Sequence, residues 1–220
     1  AWVLVSTCLG FIMVPGIGFF YSGLLRRKNA LSMLWMALAV MAVASFEWFF
    51  WGFSLAFSDT ASSFIGNLKH FGLIHVDMQH SSGGTTIPQL VYCVYQMMFA
   101  VLTPVIMCGA FADRARLAPI LLFVFCWCTI VYNPIACWTW NSDHGWSNKM
   151  GGLDYAGGTP VHISSGTAAL VISIYLGRRH GYGTEQLAYR PNNVTYVVLG
   201  TILLLSLIHI SEPTRPLYIS

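Results

Sequence analysis

An ionisable side chain inside an apolar segment is costly to hold, so each one marks a candidate site. Of the seven histidines only His162 falls inside a credible membrane-length run. It lies in Gly157-Gly158-Thr159-Pro160-Val161-His162-Ile163-Ser164-Ser165-Gly166, where the four-residue spacing of Gly158, His162 and Gly166 puts all three on one helical face. Two readings stand. Either the imidazole is bonded to a neighbouring helix that the glycines admit, or it lines the narrow space they leave. A bis-histidine haem requires a second intramembrane His, and the runs contain none.

The carboxylates carry the same ambiguity. Asp154, in Leu153-Asp154-Tyr155-Ala156-Gly157-Gly158, precedes the His162 helix and can accept its first free N–H groups or attract a cation. Glu47, in Ser45-Phe46-Glu47-Trp48-Phe49-Phe50, lies deep in a run. It is either a proton carrier or a group hydrogen-bonded between helices or protonated. Trp140 ends a run, with Trp138 two residues before it. Such a ring anchors the membrane interface or, facing a vestibule, holds a cation over its face. Tyr95 and Phe99 form an aromatic stripe at helical spacing, a pattern that ordinary packing also produces.

The elements that must position these residues follow from composition. Of 220 residues 56% are hydrophobic and 9% charged, with 8 acidic and 11 basic side chains. A soluble domain carries about 25% charged residues. The sequence therefore excludes a water-soluble globular enzyme, a disordered chain and a nucleic-acid binder, and points to a polytopic membrane protein. The six cysteines (Cys8, Cys93, Cys108, Cys126, Cys128, Cys137) lie mostly in apolar runs and read as small hydrophobes. The side chains of Cys126 and Cys128 diverge on a helix, so no metal site is expected, and no cofactor is implied.

Apolar runs cover residues 1–25, 31–57, 89–111, 117–140 and 159–176, with a sixth over 194–205. Being apolar all round, they read as helices rather than barrel strands. Arg26, Arg27, Lys28, Arg114, Arg116, Arg178, Arg179 and Arg190 fall in alternate loops, against Lys69 and Lys149 in the others. The positive-inside rule then predicts an outside N-terminus, five full crossings and a sixth starting from the cytoplasm. Asn193-Val194-Thr195 matches a glycosylation acceptor but falls on the cytoplasmic side. Residue 1 already sits in a run, and 206–220 (SLIHISEPTRPLYIS) places Glu212, Pro213, Arg215 and Pro216 where a helix should finish. That string resembles translated sequencing-adapter read-through and is read as foreign, with the native membrane domain expected over 1–205.

VPGIGFFYSGLLRRKNALSM, FEWFFWGFSLAFSD, FADRARL, YNPIACWTWN, GGLDYAGGTPVHISSG and ISIYLGRRHGYG follow one another over about residues 1–205. Together they resemble the ammonium transporter family (Amt/Mep/Rh), and its fungal Mep branch in particular. The resemblance implies an all-α fold of eleven spanning helices per protomer of a homotrimer, built as an inverted repeat of two five-helix halves. This chain would supply the first half. The resemblance also assigns roles. Trp140 matches the outer-vestibule Trp that recruits ammonium, with Tyr95 beside it. Phe99 matches a gating Phe, Asp154 the carboxylate supporting recruitment, and His162 the first of twin pore histidines.

These roles are physically consistent. A desolvated Trp face favours a cation by up to ~2 kcal/mol. A dry aromatic constriction rejects an ion and passes neutral ammonia. Paired neutral imidazoles can both donate and accept, and so relay the released proton. The second gating Phe, a vestibule Ser and the second His are not in this chain, so it is not expected to close a pore alone. The competing readings are a sensor in which transport is secondary, and a membrane redox enzyme. The latter requires a second intramembrane ligand for His162.

Overall fold

In hydrocarbon every backbone N–H and C=O must find its partner within the segment, and the chain meets this with helices. The computed structural model describes residues 1–78, 80–81, 84–179, 181–184 and 191–211. Arg190 and residues 212–220, with Glu212, Pro213, Arg215 and Pro216, lie outside the described residues. The described helices are α1 (Trp2–Leu24), α2 (Ala30–Glu47), α3 (Phe53–Phe57), α4 (Gln89–Phe111), α5 (Leu117–Trp127), α6 (Asn133–Trp140), α7 (Trp146–Lys149), α8 (Ser164–Leu176) and α9 (Val194–Ser211). Five continuous helical stretches among the described residues are long and apolar enough to cross a membrane: Trp2–Leu24, Arg27–Phe57, Gln89–Phe111, Leu117–Trp140 and Gly158–Leu176. The expected runs are met within a few residues. A two-stranded antiparallel ladder, β1 (His80–Ser81) and β2 (Gly84–Pro88), adds a small feature to the loop after the second span.

Among the described residues three stretches in the spans widen beyond α-helix. Trp48–Gly52 joins α2 to α3, Cys128–Tyr132 joins α5 to α6, and Gly158–Ile163 leads into α8, all as π-helix. Each inserts a wide turn and so changes which way the following residues face.

The core forms where α2, α3, α4 and the fourth span meet. Trp48 is fully buried, with its ring 5.9 Å from Phe53, 6.1 Å from Phe57 and 6.4 Å from Tyr132, centroid to centroid. Its indole N–H donates to the Cys93 carbonyl on α4 at 3.2 Å, which satisfies the one polar atom that the ring brings inside. α1 packs on α2, α4 and α9. Its contact with α9 is set by glycine: a Cβ on Gly200 would stand 2.5 Å from the Phe20 nitrogen and 2.6 Å from the Gly16 oxygen. Small residues allow such close approach where lipid supplies no hydrophobic drive. Outward-facing Trp35, Phe46, Leu122, Ile130 and Ile174 are exposed, as suits side chains that contact acyl tails.

The loops sort into two clusters. Asp113, at φ +64°, receives Arg26 at 3.4 Å and a hydrogen bond from the Asn29 amide, tying the loop after α1 to the loop after α4. Arg114 joins the same cluster by donating to the Gly177 carbonyl at 2.7 Å, beyond the end of α8. In the other cluster Lys69 pairs with Asp59 at 2.7 Å, and the His144 ring donates to the Asp59 carbonyl at 2.7 Å. The described basic loops thus share one face and the Lys69 loop the other.

Candidate functional site

The site is built around the start of the Gly158–Leu176 stretch. A helix start leaves its first N–H groups without partners. Here the Asp154 carboxylate takes two of them, Oδ1 from Gly158 N–H at 2.7 Å and Oδ2 from Thr159 N–H at 2.6 Å. Burial works against the charge, but the hydrogen bonds from Thr159 and Gly158 outweigh it and hold the carboxyl below its ordinary pKa. Asp154 is therefore a carboxylate at neutral pH. Gly157 makes the turn in the left-handed region at φ +75°, where a side chain would also strike the Trp140 ring, 3.0 Å from the Cβ position.

Gly157 then accepts from both Val161 N–H at 3.0 Å and His162 N–H at 3.2 Å, the second spanning five residues. This wide turn leads into α8. The Cβ position of Gly158 looks toward the Asp154 carboxylate at 3.6 Å, and that of Gly166 has nothing within 4 Å. Among the described residues no helix comes against Gly166. Pro160, Val161, Ser164 and Ser165 turn inward, and α8 packs on α4. His162, Ile163, Gly166 and Thr167 form an exposed face.

Trp140 closes α6 and donates its indole N–H to the Asp154 backbone carbonyl at 2.8 Å. Its ring lies 5.7 Å from Phe99, which meets Tyr95 edge-on at 5.1 Å. Tyr95, Phe99 and Trp140 are each half-buried, so they form a continuous ring stack from α4 to α6 that ends on the turn carrying Asp154. Trp138 faces elsewhere. Its N–H donates to the Phe64 carbonyl at 2.6 Å and its ring meets Phe64 and Trp146, which clasps a loop.

The structure brings Tyr95, Phe99, Trp140 and Asp154 together and puts His162 one turn into the helix that Asp154 caps. Glu47 lies apart from them, 1% exposed and hydrogen-bonded to Thr129 and Asn133 on the fourth span. Sequence reasoning missed those two partners, more than 80 positions away, and the structural part of Gly157. The Asp154-x-x-Gly157-Gly158 pattern carried the signal for the second.

The family model described as Ammonium Transporter Family matches residues 1–207. Ammonium transporter 1 of Schizosaccharomyces pombe is 53% identical over 204 residues, which cover 93% of this chain and 40% of that protein. The crystal structure of Saccharomyces cerevisiae Mep2 is similar with a TM-score of 0.83 at 48% identity, over 92% of this chain and 46% of that one. A structure described as a Sensor Amt Protein matches with a TM-score of 0.81 at 26% identity, over 92% of this chain and 51% of that one. The chain spans less than half the length of the curated relatives it matches.

Proposed function

The chain belongs to the ammonium transporter family, and from that premise we propose that the full-length protein recruits ammonium at Trp140, strips its proton, and passes ammonia by Phe99 and along His162. One observation carries the reading. The Tyr95–Phe99–Trp140 stack abuts the very turn whose carboxylate caps the His162 helix. A cation over the Trp140 face gains a cation–π contact, and the nearby Asp154 charge adds a favourable field. The Phe99 ring offers that cation no hydrogen-bond acceptor, so passage beyond it favours the neutral molecule. His162 lies on an open face, free to meet the second imidazole that the resemblance assigns to the rest of the protein.

In this reading residues 1–205 form the native membrane part, residues 206–220 are foreign, the N-terminus is outside the plasma membrane, and the full-length protein is a homotrimer. The test is uptake by the full-length protein in liposomes. Trp140→Leu raises the half-saturating ammonium concentration about tenfold, the worth of one cation–π contact, and leaves maximal uptake nearly unchanged. An unaltered half-saturation sinks the recruitment role. The likeness to a Sensor Amt Protein favours a second reading, in which occupancy of the same site is signalled to the cell. A His162 variant that transports normally yet abolishes an ammonium-dependent cellular response would establish it.

A further inference from the structure

Glu47 is almost completely buried in the second span. Its Oε1 accepts from Asn133 Nδ2 at 2.7 Å and from the Thr129 hydroxyl at 3.0 Å. Trp51 donates its indole N–H to the same Thr129 hydroxyl at 3.0 Å. Trp51 belongs to the wide turn Trp48–Gly52, Thr129 to the wide turn Cys128–Tyr132, and Asn133 opens α6. A single carboxyl group therefore gathers both irregular turns.

The hydrogen bonding around it is incomplete. Glu47 Oε2 and Asn133 Oδ1 are both buried and neither receives a donor. Gly52 forms the wall at Oε2, with a Cβ position only 2.7 Å away, and brings no donor side chain. Among the described residues no cation pairs with Glu47, and the ionisable groups facing it are the Cys128 thiol and Tyr132 phenol. An ionised carboxylate with an orphaned oxygen in hydrocarbon is heavily penalised, as is an orphaned amide oxygen. One proton removes both deficits.

We propose that Glu47 is a neutral carboxylic acid whose Oε2–H donates to Asn133 Oδ1 while Asn133 Nδ2–H donates to Oε1, and that this acid–amide ring is the positioning device for α6. A wide turn adds a residue to the helix and needs external partners to stay where it is. By fixing the helix just beyond Cys128–Tyr132, the ring sets the side on which Trp140 emerges two turns later. The positioning half rests on the recruitment role proposed for Trp140, whereas the protonation half does not.

The full-length protein tests both halves. The infrared difference spectrum between wild type and Glu47→Gln shows a protonated-carboxyl C=O band that the variant lacks. A carboxylate signature in its place overturns the neutral acid. In the uptake assay Glu47→Gln keeps the wild-type half-saturation, because its amide offers an acceptor and a donor at the same positions. Glu47→Leu removes the ring and raises half-saturation roughly tenfold, and the Glu47→Leu/Asn133→Leu pair, which strands no polar group but still lacks the ring, stays raised by about as much. Positioning is overturned if Glu47→Gln behaves like Glu47→Leu, or if Glu47→Leu leaves half-saturation unchanged. Should Glu47→Leu fail to insert, Glu47→Gln and the double variant carry the comparison. If Trp140→Leu itself has no effect, the recruitment reading fails while the infrared band still decides the state of Glu47.

Discussion

At the scale of single residues, the site depends on what each side chain leaves free. Trp140 spends its N–H on the Asp154 carbonyl, so only its ring face remains to meet a cation. Asp154 spends both oxygens on helix N–H groups, so in the proposed recruitment role it acts through its charge rather than by direct contact. Its pKa is depressed in the fold, so its contribution to stability is present above the ordinary carboxyl value of about 3.9 and is lost as pH falls through the folded value. Asp154→Asn keeps one acceptor and loses the other. The expected cost is about 1 kcal/mol, read as a lower thermal midpoint at pH 7, with the gap to wild type closing in acid. His162 meets no such demand, being exposed on its helix. His162→Ala therefore inserts normally in the full-length protein but changes the conducted current. A variant that fails to reach the membrane would make His162 structural.

At the scale of elements, the wide turns decide which way residues point, and they were the least legible part of the sequence. Apolar character all round marks residues 31–57 and 117–140 as spans, but hydropathy is identical whether a turn holds one residue more or fewer. The same blindness hid the wide turn over Gly158–Ile163 that carries His162. Local chemistry was readable where it lay within a few residues. Asp154 before a glycine pair announced a helix start, and Tyr95 and Phe99 announced a stripe. The meeting of Phe99 with Trp140, and of Glu47 with Asn133, depends on packing between spans and leaves no mark in either local segment. The glycine contact of α1 with α9 gives a prediction at this scale. Gly200→Leu drives a side chain into the α1 backbone and costs several kcal/mol or separates the helices. The check is a fall in the thermal midpoint of the full-length protein, larger than that of Leu199→Ala on the exposed side of the same helix.

At the scale of the whole molecule, the segregation of loops fixes the sidedness of the five crossings relative to one another. Asp113 with Arg26 and Asn29, and Arg114 with Gly177, bind one set. Asp59 with Lys69 and His144 binds the other. With the basic set inside, a membrane-impermeant thiol reagent labels Lys149→Cys on intact cells and reaches Arg178→Cys only after permeabilisation. The reverse pattern would invert the proposed orientation. Gly16 and Gly200, which touch across α1 and α9, stand 184 positions apart in the chain. At roughly 5–20 residues per second a ribosome needs about 10–40 s to travel that distance. Throughout that interval α1 waits with this glycine flank uncovered. The pairing of α1 with α9 is then paced by translation, not by the rate at which two helices meet in the bilayer.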